Sequence, residues 1–432
     1  MLRSFAKVFT CDLIAKVLMG LAMLTIIRVM PIAQFAVYTV VLATVTLSTN
    51  IFVQAFNRIL IVGGERMDLI KHLKPLAVLQ SVLVCVATTV ILFALNVDAI
   101  VFVSAIALSA ALAFSSLIKT MYQRAEQFDR FGILELTRSV LFAGSLFGVM
   151  FFLDGTIKVW HAIGLQASAF LLAAVPAGLK FGWKTNNRVL AISRDILMQI
   201  AHSQYRYLFA YLVVLAMFLQ TDIYMLRLMT NERTIAEYGS AFRYYSFLTM
   251  ALGAVHTVML PLVNNATSLE SLNEIYRRHR NLIILITPGI VGLAIAATWL
   301  IPIIDGGRYT EAPLVFQILA VSSILSFALS PHVNLVMRYE RFKFLFRIVC
   351  VAFAVNVCVN LVLIPKFGSV GAAIGTVTGF LLVNGAIYIL ATKLKSNLPR
   401  IRGEEQFCCK KKSAGALSPL KRCGGVSKSA SE

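Results

Sequence analysis

The stretch that decides the fold is residues 99–124, which read AIVFVSAIALSAALAFSSLIKTMYQR. Its first 20 residues carry no charge, and an α-helix needs about 20 apolar residues to cross a bilayer. The run is followed by Lys119 and Arg124, and basic residues next to a spanning helix mark the cytoplasmic side. We therefore predict a spanning helix here that ends in the cytoplasm.

Apolar runs of this kind recur along all 432 residues. The chain is 59% hydrophobic and only 14% charged, whereas soluble domains are about 25% charged. We predict an all-α polytopic membrane protein with about 12 transmembrane helices. The predicted helices lie near residues 8–28, 37–60, 75–96, 99–121, 131–153, 157–179, 205–228, 237–262, 281–303, 312–337, 344–364 and 369–392.

The basic residues set the orientation of the chain. There are 40 Lys and Arg against 20 Asp and Glu, which gives a formal net charge of +20. With a cytoplasmic N terminus, 31 of the 40 fall on the cytoplasmic side and six on the opposite side, which is the bias of the positive-inside rule. Both termini are then cytoplasmic, and the basicity gives no reason to expect nucleic-acid binding. The three remaining cations lie inside predicted helices: Lys16, Arg138 and Arg243.

The longest internal loop, residues 181–204, divides the chain into two six-helix lobes, 1–180 and 205–393. Short matches about 200 residues apart support this division, such as Arg28-Val29-Met30 and Arg227-Leu228-Met229. Six is an even number, so both lobes cross the bilayer in the same direction. We predict pseudo-two-fold symmetry about an axis along the membrane normal.

Residues 394–432 differ in composition from both lobes. They are rich in Ser, Gly and Lys and poor in apolar residues, which predicts a disordered basic cytoplasmic tail. A polybasic segment of this kind is attracted to anionic membrane lipid.

Charged residues inside the predicted helices are candidate site residues, because an ionised group in hydrocarbon must face a cavity or a partner. Asp12 and Lys16 are four residues apart, and Glu135 and Arg138 are three apart. Each pair therefore shares one face of its helix. Each is either a neutralising ion pair or part of a transport path.

Two further intramembrane charges lie in the second lobe. Asp222 lies near the outer end of the seventh predicted helix, about 8 to 10 Å below the surface at 1.5 Å per residue. Arg243 lies at a similar depth in the eighth. Charge is thus available at both ends of a central path, as a carrier with alternating access requires. The same pattern of charged residues is also expected if these residues only form structural ion pairs.

Polar side chains also form a stripe on one face of two predicted helices. In lipid such a stripe must face protein or water, so its members either bond to neighbouring helices or line a cavity. The stripe of the second helix comprises Thr39, Thr46, Asn50, Gln54 and Asn57, and that of the eleventh comprises Asn356 and Asn360.

The sequence contains no recognisable set of catalytic residues. Its six histidines are scattered without metal-ligand spacing. We find no Gly-rich phosphate loop, nucleophile motif or channel filter. We therefore expect a protein that is not an enzyme and that uses no metal or other cofactor.

Five stretches of sequence carry a family resemblance. They are RVMPIAQFAVY at 28–38, Thr221-Asp222, YGSAFR at 238–243, DGGRYTEAP at 305–313 and NVCVNLVLIPKFGSVGAA at 356–373. Through them the sequence resembles the polysaccharide transporters of the multidrug/oligosaccharidyl-lipid/polysaccharide exporter superfamily, most closely the Wzx-type O-antigen flippases. The last stretch is the most specific of the five.

The resemblance implies a carrier of the bacterial inner membrane. It would flip undecaprenyl-diphosphate-linked oligosaccharide repeat units during O-antigen, lipopolysaccharide or other surface polysaccharide biosynthesis, with a polymerase and chain-length machinery as further partners. It also implies a cationic cavity, because Arg offers a planar, permanently charged fork to phosphate oxygens. The implied roles are diphosphate binding by Arg243, Arg138 and Lys16, proton or sodium coupling by Asp222 and Asp12, and polar lining by Asn50, Gln54, Asn57, Asn356 and Asn360.

Two other functions stay open. A multidrug/cation antiporter of the same superfamily typically carries acidic cavity residues, whereas three cations lie in the predicted helices here. A membrane polysaccharide polymerase or glycosyltransferase needs a long hydrophilic outer loop or a catalytic motif. The longest outer loop here has only about ten residues.

Overall fold

A computed structural model describes residues 2–57, 59, 73–124, 127–152, 156–179, 198–199, 201–203 and 205–396. The regular secondary structure of this part is helical. The first half contributes α1 (Leu2–Val29), α2 (Ile32–Thr49), α3 (Leu73–Ala94), α4 (Ala99–Arg124), α5 (Phe128–Phe152) and α6 (Val159–Leu179). The second half contributes α7 (Tyr205–Met229), α8 (Glu232–Asn264), α9 (Leu269–Asp305), α10 (Ala312–Ala328), α11 (Ser330–Arg338) and α12 (Phe342–Lys395).

The helices follow the predicted ones in order and differ at two breaks. The tenth predicted helix is divided into α10 and α11, which are bent by 50°. Conversely, α12 contains both the eleventh and the twelfth predicted helix, separated at Gly368, where φ is 54° and ψ is −126°. This conformation is strained for any residue that has a Cβ atom, so glycine is needed where the chain reverses direction.

Membrane insertion is supported by the length and the composition of the helices. Among the described residues, seven helices are long and apolar enough to cross a membrane, or eight if α10 and α11 form one span. In addition, α3 exposes an apolar stripe on one face, formed by Val78, Val82, Val86 and Val90, as expected of a surface that faces lipid. The chain is therefore a multi-pass membrane protein, while 12 crossings and two-fold symmetry remain predictions.

Each half has its own helix packing. In the first half α1 packs on α5 and α4 packs on α6, and in the second half α7 packs on α12 while α8 and α9 pack on α10. The halves meet chiefly where α2 contacts α7 and α8. At the predicted outer end one continuous apolar core joins Met30, Phe35 and Tyr38 of the first half to Tyr238 and Tyr309 of the second.

The predicted connecting loop 181–204 and the predicted tail 394–432 lie mainly outside the described residues. The division into two lobes with a separate tail therefore remains a prediction. What the described helices show is that both halves contribute to the interface on which the candidate site depends.

Candidate functional site

A network of buried hydrogen bonds centres on Asp222 of α7, which is 2% exposed. Its Oδ2 accepts hydrogen bonds from the Tyr238 hydroxyl at 2.6 Å and from Thr376 Oγ1. Its Oδ1 accepts hydrogen bonds from Asn360 Nδ2 at 2.7 Å and from Asn356 Nδ2 at 3.2 Å. Three helices, α7, α8 and α12, thus converge on one carboxylate.

The chain reversal at Gly368 explains why α12 reaches this carboxylate twice. Asn356 and Asn360 lie one helical turn apart before the reversal, and Thr376 lies eight residues after it. At Gly375 an added Cβ would overlap the amide group of Asn360. The missing side chain therefore allows the two segments of α12 to approach each other closely.

The Asp222 network can hold a proton or a small cation. No Lys or Arg of the described part forms an ion pair with Asp222, and a buried carboxylate without a counter-ion favours either of these two ligands. The side chains around it offer hydroxyl and amide oxygens, and the Oδ1 of Asn360 has no hydrogen-bond partner there. Oxygen ligands of this kind suit hard cations.

Arg243 lies on α8 at the interface between the halves. Its guanidinium carbon is 5.9 Å from the centre of the Tyr38 ring on α2, a cation–π contact across the interface. Its Nε is buried without a hydrogen-bond partner, and no described carboxylate forms an ion pair with it. The charge of this half-buried residue is therefore available to an anionic ligand.

Arg138 belongs to an ion cluster in the first half. Glu135 of α5 pairs with Arg138 at 2.8 Å and also with Lys119 of α4. The guanidinium carbon of Arg138 lies 4.6 Å from the centre of the Phe170 ring on α6. The cluster therefore joins α4, α5 and α6.

The other two charged candidates lie on α1. Lys16 is half-buried, on a helix that packs chiefly on α5 and also contacts α8 and α9. The side chain of Asp12 lies outside the described residues. An ion pair between Asp12 and Lys16 therefore remains a prediction.

The polar stripe predicted on α2 divides into two parts. Thr46 and Gln54 are exposed and Asn50 is half-buried, although the helix that carries them is 67% buried, so this face borders open space. Asn57 is buried instead, and its Nδ2 donates to Ser116 Oγ on α4 at 3.1 Å. The difference arises at a π-helical turn, Asn50–Gln54, because its wider turn rotates the residues that follow.

Hydrogen bonds join the two halves at the predicted outer end. The turn after α9 supplies Arg308, whose Nη1 donates to the backbone oxygen of Arg28 at 2.6 Å, and Tyr309, whose hydroxyl donates to the backbone oxygen of Ile27 at 3.3 Å. Two further contacts join α2 to α7 and α8, namely Thr44 with Tyr224 and Thr39 with Gly239. This end of the interface is therefore closed. These contacts were not predicted, although residues 28–38 and 305–313 both carry part of the family resemblance.

No protein-family model matches the sequence, and no curated protein matches it. Solved structures do match, over most of the chain. Lipid II flippase MurJ in its inward closed conformation has a TM-score of 0.66 and 13% identity, over 90% of this chain and 89% of that chain. An inward-facing multidrug resistance MATE family transporter of the MOP superfamily has a TM-score of 0.63 and 12% identity, over 90% and 95%. The MATE transporter VcmN of Vibrio cholerae in its bent form has a TM-score of 0.54 and 15% identity, over 91% and 97%.

The chain thus has the fold that MurJ and the MATE transporters share. This agrees with the helical transporter fold that the resemblance implied. The Wzx-type subfamily, the glycolipid substrate and the roles of the site residues remain predictions.

Proposed function

We propose that this protein is a transporter that flips undecaprenyl-diphosphate-linked oligosaccharides across the bacterial inner membrane during O-antigen or other surface polysaccharide biosynthesis. The observation that carries the proposal is Arg243, a cation at the interface of the two halves for which the described part of the chain supplies no carboxylate. A diphosphate suits this position because a guanidinium bonds two phosphate oxygens at once. A cationic drug would instead be repelled.

Other groups in the first half can hold the rest of the head group. Arg138, which lies in the cluster around Glu135, and Lys16 add positive charge. Thr46 and Gln54 present hydrogen-bonding groups on the open face of α2. Sugar hydroxyls both donate and accept, so neutral polar groups of this kind fit an oligosaccharide better than further charges.

Asp222 is the proposed coupling site. It lies buried within the second half, bonded by α8 and α12, whereas Arg243 lies at the interface. A coupling ion and the glycolipid therefore bind at separate places. Their separation allows the ion to change the stability of one conformation without occupying the substrate path.

In the proposed cycle the diphosphate enters from the cytoplasmic leaflet and binds Arg243 while the outer end is closed. Rocking of the halves then breaks the hydrogen bonds from Arg308 and Tyr309 to the last turn of α1. The head group leaves on the outer side, and the lipid tail stays in the bilayer throughout. A polymerase and chain-length machinery would receive the product.

The test is complementation of a strain that lacks this gene, with surface polysaccharide as the readout. We expect Arg243→Ala to insert at the parental level and to lower surface polysaccharide at least about tenfold, since it removes charge-assisted bonds. Arg243→Lys should keep part of the activity. Arg227→Ala is the matched control, because Arg227 is an exposed cation at the end of α7. Full surface polysaccharide with Arg243→Ala would refute the proposed role.

A further inference from the structure

A cavity with polar and charged side chains in its lining lies at the opposite end of the second half from the closed outer contacts. It has a volume of about 470 Å³. Its walls come from the first turns of α9, the break between α10 and α11 and the last turn of α12. The polar residues that matter here are Tyr276, Arg277, His279, Arg280, His332 and Lys395.

The cavity is positively charged. Arg277, Arg280 and Lys395 line it, and its lining contains no Asp or Glu. The described part of the chain provides none of these three cations with an ion pair. Arg278, between the two lining arginines, does have one, at 2.6 Å from Glu274. The described residues therefore leave the positive charge of the cavity uncompensated, whereas the charge of Arg278 is balanced by Glu274.

Buried polar atoms without partners point to a ligand. His279 is 2% exposed, and its Nε2 bonds to the backbone oxygen of Phe327 at 2.9 Å, while its Nδ1 has no partner. The Tyr276 hydroxyl and His332 Nδ1 are also buried without partners. Such atoms are uncommon in native proteins unless something fills the site. Lys395 Nζ lies 4.6 Å from the centre of the Tyr276 ring, which places a cation against the same side chain.

In the predicted orientation, the cavity lies where the protein meets the head groups of the inner leaflet. The apolar run of this helix begins near residue 281, whereas α9 itself begins at Leu269. The cations at 277 and 280 therefore lie just outside the hydrocarbon. Directly beyond them Leu282 and Leu285 are 38% and 75% exposed, as expected of side chains that face acyl chains. A lipid bound along this surface would place its phosphate in the cavity.

We propose that this cavity binds the phosphodiester head group of an anionic phospholipid from the cytoplasmic leaflet. The cations attract the phosphate, as basic pockets between helices on the cytoplasmic side do. Tyr276 and the two histidines bond to the phosphate or to head-group hydroxyls. The lipid would join α9 to α11 and to the end of α12. The proposal does not depend on the transported substrate.

The test is native mass spectrometry of the full-length protein with phosphatidylglycerol or phosphatidylcholine of the same acyl chains. We expect phosphatidylglycerol to be retained more strongly. Arg277→Gln with Arg280→Gln should lower its affinity about 30-fold, at about fivefold for each charge removed. Arg278→Gln is the matched control, since it removes a paired cation of the same helical turn outside the cavity, and should change the affinity less than about twofold.

Three results would overturn the proposal. They are equal binding of both lipids, an equal loss of binding with Arg278→Gln, and displacement of phosphatidylglycerol by millimolar inorganic phosphate, which would identify a soluble anion as the ligand. Parental gel-filtration elution and melting temperature establish that a variant is folded. If the double variant fails this criterion, Lys395→Gln, on the opposite wall, is measured in its place with an expected loss of about fivefold.

Discussion

Gly239→Ala is expected to push the two halves apart at their outer end. A Cβ added at Gly239 of α8 would lie 2.7 Å from Cγ2 and 3.1 Å from Cβ of Thr39 on α2. Thr39 is 1% exposed, so its side chain has no free space into which it can turn. Carbon atoms pack at about 3.5 to 4.0 Å, and the two helices must therefore separate by about 1 Å.

The size of the effect follows from where the strain acts. Overpacking of a tight contact costs about 1 to 3 kcal/mol. Because α2 and α8 belong to different halves, this cost applies to the closed conformation and disappears when the outer end opens. The population ratio should then shift toward the open conformation by about 5- to 150-fold.

Amide hydrogen exchange of the purified protein, read by mass spectrometry, measures this shift. Residues 27–34 and 305–311, which form the outer contacts, should exchange faster in Gly239→Ala. Adding Thr39→Ala removes the 2.7 Å contact and leaves the 3.1 Å one, and should therefore restore slow exchange in part. Gly164→Ala is the control, because a Cβ there meets no atom within 4 Å. Unchanged exchange in Gly239→Ala, or no rescue by Thr39→Ala, would refute the proposal that the closed interface depends on this contact.

Three further predictions concern single side chains. Sodium at tenfold excess over its Kd should stabilise the parent protein by about 1.4 kcal/mol, which is measured as a higher melting temperature in sodium than in N-methylglucamine. Asp222→Asn should remove this response. Glu135→Gln removes the carboxylate that pairs with Lys119 and Arg138 and should lower the free energy of unfolding in detergent titrations by about 2 kcal/mol; no loss would show that the cluster is not stabilising. Gly368→Ala should lose about 1 to 2 kcal/mol in the same titrations because φ is positive there, whereas Gly385→Ala, at an open helical position, should not.

The helices were predictable from the sequence because lipid imposes both a length and a polarity on each of them. The run at 99–118 and the helix α4 agree for this reason. Asn356 and Asn360 were also recognisable as residues that need partners, since two amides one turn apart are costly in hydrocarbon. The helical spacing of these residues does not indicate which other helix provides the partner. The partner is Asp222, 134 residues from Asn356 in the sequence.

Two other features depend on tertiary structure that no local pattern encodes. Lys119 follows an apolar run and therefore looks like a cytoplasmic flanking residue, but its ammonium group turns to Glu135 of the next helix. The helical spacing of Asn50, Gln54 and Asn57 predicts one continuous stripe. The π-helical turn inserted at Asn50–Gln54 changes the rotation, so that Asn57 bonds to α4 instead.

The proposed coupling site and the interface are joined through neighbouring residues. Tyr238 donates to Asp222, and the next residue on α8, Gly239, packs against α2 with no space to spare. On α7, Tyr224 follows Asp222 by two residues and donates to α2 at 3.0 Å. We expect a proton or cation at Asp222 to compete with the Tyr238 hydroxyl for the carboxylate, and so to shift α8 next to its close contact with α2. A ligand shifts a conformational equilibrium only by interacting differently with the two states, and we predict that this contact supplies the difference.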